Sequence, residues 1–370
     1  MSLNKKEFPQ ARNIIDSLTP YNPGTGIKQD LKQTPPPLKL SSNENTLNSP
    51  LTDKEWLDCV AEASVYPNSS EHPLITCLSS QLNLNTSNIL FGNGSDECFQ
   101  LIAQSFLNPG DTVLSSEHTF SVYKAVTQIM DAVYVSVPMQ HYAHDFDAYL
   151  NAITDKTKLI FVANPNNPTG TFSSYNTLLE FFKKVPSHIL IVLDEAYKEY
   201  VTNESCNLSI DLIKTFHNLV ITRTFSKIYG LAGLRIGYAM GDPEIIATTQ
   251  KVKPPFNVNQ IALNAAHVAL TQKQSFIAQS IDLNTKGHAF YKQAHTSWPV
   301  TRLDSKANFE TFILKQHNAM DIYHHCLDDG ISIRPLDSFG LPNGIRITIG
   351  TDKQNQRVVD SLSNFFKQNT

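Results

Sequence analysis

No apolar run in this 370-residue chain approaches the length of a membrane span. The longest, such as HILIVL (188–193), are strand-sized, against the ~20 residues a spanning helix needs. The opening residues MSLNKKEFPQ carry no apolar stretch, so no signal peptide is expected. Neither sign of charge dominates: 30 Lys and Arg against 34 Asp and Glu give a formal net charge of −4. Without a basic patch or polybasic cluster, neither nucleic acid nor an anionic membrane surface is an expected partner. The five cysteines (59, 77, 98, 206 and 326) are odd in number and scattered, with no C-x-x-C pair. They read as reduced thiols in a cytoplasmic protein. HYAH (141–144) and HHC (324–326) lack the paired ligands of a closed metal site, and no metal is expected. Both G-x-G-x-x-G and the Walker loop are missing, which weighs against a dinucleotide oxidoreductase or an NTP-binding protein.

What is present points to an α/β protein of two unequal lobes. The first 45 residues, with TPYNPGTG (19–26) and TPPPLKL (34–40), read as an extended proline-rich arm. From about residue 90, short continuous apolar runs alternate with helix-length stretches. The runs are TVLS (112–115), AVYVSV (132–137), KLIFVA (158–163), HILIVLD (188–194), LVITR (219–223) and IGYAM (236–240). Uninterrupted apolar strands separated by helices predict a mostly parallel sheet covered on both faces. This large domain is assigned to 46–260. A long helical region (259–295) then leads to NFETFIL (308–314), ISIR (331–334) and IRITIG (345–350), strands of a smaller α+β domain over 261–370 that a terminal helix (352–367) completes.

Ligands of an open parallel sheet gather beyond the carboxyl ends of its strands, and the residues placed there form a chemical set. FGNGSDE (91–97) puts glycines and a serine before a helix, where Gly94, Ser95 and Asp96 offer backbone N–H groups to a phosphate. KLIFVA runs into the rigid turn NPNNPTG (164–170), which carries Asn167. Asp194 ends five apolar residues, so its carboxylate requires a cation or N–H partner, and Tyr197 follows three residues later. The next strand delivers Thr224, Ser226 and Lys227, with Arg235 eight residues beyond the lysine. An aldehyde, a basic ring nitrogen, a phenolic oxygen and a phosphate would together engage this set. Pyridoxal 5'-phosphate carries all four.

The order NPNNPTG, DEAY, TFSK and Arg235 resembles the fold-type I pyridoxal-phosphate aminotransferases. TPYNPG, SNEN (42–45), YP (66–67), GNGSDE, TFSVY (119–123) and GIRITIGT (344–351) narrow the resemblance to the histidinol-phosphate aminotransferase family over about residues 19–365. It implies a seven-stranded sheet and a homodimer with shared active sites. Lys227 would bond covalently to the cofactor and shuttle the substrate proton. Asp194 would pair with the pyridine nitrogen, Asn167 and Tyr197 with the phenolic oxygen, and Phe120 would stack on the ring. Gly94, Ser95, Asp96, Thr224, Ser226 and Arg235 would hold the phosphate, helped by Tyr66 from the neighbouring subunit. Tyr21, Asn167, Arg334 and Arg346 would bind substrate, the two arginines suiting a doubly anionic ligand. The implied reaction transfers an amino group between L-histidinol phosphate and 2-oxoglutarate in histidine biosynthesis. Aromatic amino-acid transamination, threonine-phosphate decarboxylation and a non-enzymatic binding protein are the alternatives. Thr46, Phe120 and Val65 depart from the residues usual in that family.

Overall fold

The structure, a computed structural model, describes residues 11–18, 20, 36–202 and 208–369. Seven strands form its main sheet: β1 (Ile89–Gly92), β2 (Thr112–Ser116), β3 (Val133–Val137), β4 (Thr157–Ala163), β5 (Leu190–Asp194), β6 (Leu219–Thr224) and β7 (Gly237–Gly241). Their spatial order is β1-β7-β6-β5-β4-β2-β3. The four links among β3, β2, β4, β5 and β6 are parallel, whereas β7 runs antiparallel to both of its neighbours. Helices lie between successive strands, including α1 (Gly94–Phe106) after β1, α2 (Val122–Ile129) after β2, α3 (Tyr175–Lys184) after β4 and α4 (Leu208–Thr215) after β5.

The continuous apolar strands are explained by the two cores they feed. Ile160 and Val162 of β4 join Ile191 and Leu193 of β5 in one core. Their alternates Leu159, Phe161, Leu190 and Val192 join the other, on the opposite face of the sheet. The second lobe centres on a four-stranded antiparallel sheet, ordered β8 (Val300–Arg302), β9 (Phe309–Leu314), β11 (Leu341–Thr348) and β10 (Arg334–Leu336). It packs with α7 (Asp352–Gln368) around Phe312, Ile345, Ile347, Val358 and Leu362.

The structure departs from the sequence reading in three places. ILFG (89–92) is a strand too short to announce itself beside the glycines that follow it. The helical region 259–295 is two helices, α5 (Gln260–Gln272) and α6 (Gln274–Ala294). The break is Lys273, whose Nζ is drawn 2.7 Å from both Glu55 carboxylate oxygens. ISIR is divided: Ile331–Ser332 pairs in parallel with Leu38–Lys39, and only Arg334 onward belongs to the four-stranded sheet. Hence the inner end of the arm is a structural strand.

Gly287 in the middle of α6 shows how closely that helix is fitted. A Cβ there would lie 2.3 Å from Ile349 Cγ2. Alanine favours an isolated helix over glycine by about 1 kcal/mol, but overpacking here dominates. Gly287→Ala should therefore lower stability by about 1–3 kcal/mol in denaturant unfolding. In an Ile349→Ala background the same change should become neutral or stabilising.

Candidate active site

β4, β5 and β6 succeed one another in one direction from the crossover, while β2 and β3 lie on its other side. At this switch point the strand ends open a cavity of about 490 Å³. Its wall includes Ser95, Asp96, Phe120, Asn167, Asp194, Tyr197, Thr224, Ser226, Lys227 and Arg235, joined by Arg334 and Arg346 from the four-stranded sheet. Residues from more than 250 positions of chain thus converge as the sequence reading expects. Gly94 lies just behind the wall, against Arg235. Tyr66 is not among the lining residues; it is 79% exposed and stacks on Phe256 with ring centroids 4.7 Å apart. Tyr21 falls outside the described residues.

Asp194 ends an entirely buried strand and is 5% exposed. Its Oδ1 accepts from the Ala196 N–H at 3.1 Å and the Thr222 hydroxyl at 3.4 Å, and its Oδ2 from the Tyr123 hydroxyl at 2.6 Å. Burial pushes its carboxyl up to about 6, and these hydrogen bonds only partly offset the desolvation. The next residue, Glu195, instead pairs with Arg223 of β6 at 2.8 Å, both side chains buried. The Arg223 guanidinium is therefore drawn to Glu195.

Lys227 follows β6, with its Nζ 3.3 Å from the Ser42 carbonyl and 5.7 Å from the Tyr197 ring centroid. Tyr197 packs edge-on against Phe309, and its hydroxyl accepts from Asn43 Nδ2 at 2.9 Å. The Thr224 hydroxyl donates to Ser226 Oγ at 3.0 Å, and Arg235 Nη1 reaches the same oxygen at 3.4 Å. Arg235 Nη2 lies 3.2 Å from Asp96 Oδ2. α1 begins at Gly94 with no side-chain cap from Asn93, so its first N–H groups remain as donors at this wall.

Arg334 and Arg346 are direct partners across β10 and β11, and both are about 95% buried. The Arg346 guanidinium donates to Asn167 Oδ1 and, at 2.9 Å, to the Ser41 carbonyl. Arg334 Nη2 reaches Ser338 Oγ at 3.3 Å. Phe339 lies 5.8 Å from both guanidinium carbons, and its carbonyl is 2.9 Å from His118 Nδ1.

Residue types assign no task to Ser41, Ser42 and Asn43, although the last two belong to SNEN. Ser41 and Ser42 act through backbone carbonyls, which a residue type does not announce. Tyr123 was likewise missed, since nothing in TFSVY separates its hydroxyl from any other core tyrosine.

The donor set fits pyridoxal phosphate. A buried carboxylate with a raised pKa is where a protonated ring nitrogen would be stabilised. The hydroxyls of Thr224 and Ser226, Arg235 and the start of α1 make an anion cradle. Glycine is required around it. Gly94 has φ +74°, and a Cβ there would lie 2.5 Å from Arg235 Nη2. At Gly237 a Cβ would lie 2.6 Å from the Ser95 nitrogen.

Comparison with known proteins agrees with this chemistry. The family model "Aminotransferase class I and II" matches residues 35–362. Histidinol-phosphate aminotransferase 1 of Mannheimia succiniciproducens is 37% identical, over 95% of this chain and 97% of the relative. Histidinol-phosphate aminotransferase 2 of Pasteurella multocida is 39% identical, over 94% and 96%. Among solved structures, the histidinol-phosphate aminotransferase of Sinorhizobium meliloti in complex with pyridoxal 5'-phosphate shares the fold. Its TM-score is 0.88 at 23% identity, covering 99% of this chain and all of that one. The chain belongs to the class I and II aminotransferases, within the histidinol-phosphate aminotransferase group of pyridoxal-phosphate enzymes.

Proposed function

We propose that this enzyme transfers the amino group of L-histidinol phosphate to 2-oxoglutarate, giving imidazole-acetol phosphate and L-glutamate, as a step of histidine biosynthesis. The observation that carries this reading is the buried cross-strand pair Arg334 and Arg346, opening into the same cavity as Lys227 and Asp194. Two guanidinium groups suit a donor bearing a phosphate, and equally the two carboxylates of glutamate in the returning half-reaction. The relatives' names support the donor.

Bound pyridoxal phosphate supplies an aldehyde that takes up amines and a ring that accepts the electron pair left by a departing Cα proton. Lys227 Nζ is the base at the sheet edge; it would hold the cofactor and carry the Cα proton. Asp194, ionised, would pair with the ring nitrogen. Tyr197 and Asn167 would orient the phenolic oxygen, and Phe120 would cover a ring face. Gly94, Ser95, Asp96, Thr224, Ser226 and Arg235 anchor the phosphate, with Asp96 acting through its N–H while its carboxylate steadies Arg235.

The seven-stranded sheet supports a large domain over 46–260 behind an arm of 1–45. The four-stranded sheet supports a small domain over 261–370, with α5 and α6 leading into it. We read the enzyme as a cytoplasmic homodimer in which Tyr66 reaches the partner's cofactor phosphate. Two large rings, Tyr66 and Phe256, held outward in a stacked pair support a contact between copies.

Donor kinetics test the main reading. Histidinol phosphate should exceed histidinol, phenylalanine and threonine phosphate in kcat/KM by at least about tenfold. Arg334→Ala should lower the value for histidinol phosphate about 100-fold, the scale of a lost charge-assisted contact, and leave phenylalanine nearly unchanged. Faster turnover of phenylalanine, or carbon dioxide release from threonine phosphate, would overturn it.

Subunit mixing tests the dimer. Lys227→Ala should be inactive and without the visible absorbance of the bound cofactor. Tyr66→Ala should bind cofactor roughly 10-fold more weakly. If Tyr66 serves the neighbouring site, mixed dimers regain one intact site and measurable activity; if it serves its own, mixing restores nothing.

Asp194 makes a prediction with an unusual sign. Burial raises its pKa from 3.8 to about 6, so the cofactor-free native state binds a proton more readily than the unfolded chain between those values. Its contribution to stability is fully present below pH 4 and is lost as pH rises through 6. Asp194→Asn should therefore stabilise the cofactor-free protein by about 3 kcal/mol at pH 8, with the advantage vanishing towards pH 4. Thermal unfolding of cofactor-stripped protein across that range is the measurement. The same variant should bind the cofactor more weakly.

A further inference from the structure

Tyr123 is a buried titratable residue that the reading above leaves without a task. It lies in the first turn of α2, shortly after Phe120, and it is fully buried. Its ring stacks on Phe161 at 4.5 Å with the planes 5° apart, and meets Phe99 and Phe120 edge-on at 5.2 and 5.7 Å. Three aromatic neighbours leave the ring one orientation. That orientation points the hydroxyl at Asp194 Oδ2, 2.6 Å away.

We propose that Tyr123 is a positioning residue for the reaction: its hydroxyl fixes the Asp194 carboxylate and keeps the proton of the carboxylate–ring contact on the ring nitrogen of the bound cofactor. This rests on the assignment of Asp194 as the partner of that nitrogen. An ionised carboxylate only accepts hydrogen bonds, so the tyrosine must donate. A 2.6 Å O–H···O⁻ contact is in the short, charge-assisted range and favours the ionised carboxylate.

The consequence for the cofactor follows from proton affinity. The carboxylate and the ring nitrogen compete for one proton. A strong donor on Oδ2 lowers the basicity of Asp194 and leaves the proton on nitrogen, where it makes the ring an effective electron acceptor. The other groups facing Asp194 do not supply this. Asp96, from the first turn of α1, acts in the opposite direction by charge repulsion. Cys98 and Tyr197 are both raised by burial and remain un-ionised. Thr222 and the Ala196 N–H act on Oδ1, at the longer distances of 3.4 and 3.1 Å. Tyr123 itself is held far above its ordinary pKa, by burial first and by the Asp194 charge second, so it stays a donor at any working pH.

Tyr123→Phe removes the hydroxyl and retains the stacked ring. In the cofactor-free variant, the pH window over which Asp194 loses its stabilising effect should move upward by about half a unit or more. In the holoenzyme the ring withdraws fewer electrons, so the Lys227 nitrogen keeps its proton to higher pH. The midpoint of the visible-absorbance titration should rise by a similar amount, and the cofactor dissociation constant should rise about tenfold. Phe161→Leu, which loosens the stack but keeps the hydroxyl, should lower thermal stability without moving the midpoint. Introduced into Asp194→Asn, Tyr123→Phe should change neither cofactor affinity nor midpoint further. An unmoved midpoint in Tyr123→Phe, an equal shift in Phe161→Leu, or an undiminished effect in the Asp194→Asn background would each overturn the proposal.

Discussion

The active site is organised around one largely desolvated carboxylate in the wall of the cavity. Asp194 closes β5, a strand buried along its whole length, and desolvation outweighs the hydrogen bonds it accepts. Such a group is a standing cost to the fold that a cation placed against it would offset. Arg223, a buried cation on the neighbouring strand, is drawn instead to Glu195, one residue away. On the proposed assignment, a protonated ring nitrogen would offset that cost, and the cost of the buried charge to the cofactor-free protein would be recovered as grip on the cofactor.

The second constraint is that the cavity is built across a seam. Its floor and phosphate cradle come from the seven-stranded sheet, while Arg334 and Arg346 come from the other. The segment Leu40–Asn43 ties the two. Thr348 N–H donates to the Leu40 carbonyl, Arg346 to the Ser41 carbonyl, Lys227 to the Ser42 carbonyl, and Asn43 Nδ2 to Tyr197. Asn43 achieves this with φ +57°, a left-handed conformation that asparagine tolerates better than most residues. Four consecutive residues therefore help set the positions of Lys227, Tyr197 and Arg346.

The legible part of this architecture was the part written in residue types. Lysine, aspartate and arginine at the ends of apolar strands are conspicuous, and continuous apolar runs disclose a sheet buried on both faces. What escaped is written in backbone atoms and in packing direction. Carbonyls of Ser41 and Ser42 have no sequence signature, and one buried tyrosine looks like another until its hydroxyl is seen to face Asp194. Lys273 at the helix break is drawn to Glu55, 218 positions earlier, a partner that no local helix signal discloses. The split of ISIR into two sheets depends on Leu38–Lys39 arriving as a strand, although TPPPLKL read as part of an extended arm.

The arginine pair extends the logic of Asp194 to the substrate. Like charges directly opposite on neighbouring strands repel, and burial strengthens the repulsion. Aromatic faces soften it: Phe339 stands 5.8 Å from both guanidinium carbons, and Phe309 stands 5.3 Å from that of Arg346. Neutral rings cannot cancel two positive charges, so the pair favours an occupant that brings negative charge to both. Phosphate on the donor, or two carboxylates on glutamate, provides it, whereas a monoanionic amino acid leaves one guanidinium uncompensated. On the proposed reading, a preference for doubly anionic partners would follow from the cross-strand register between β10 and β11. His118 adds a structural condition, since its contact with the Phe339 carbonyl holds that ring from the large-sheet side. Selectivity at the arginines and alignment at the cofactor consequently rest on the same closure of the two sheets.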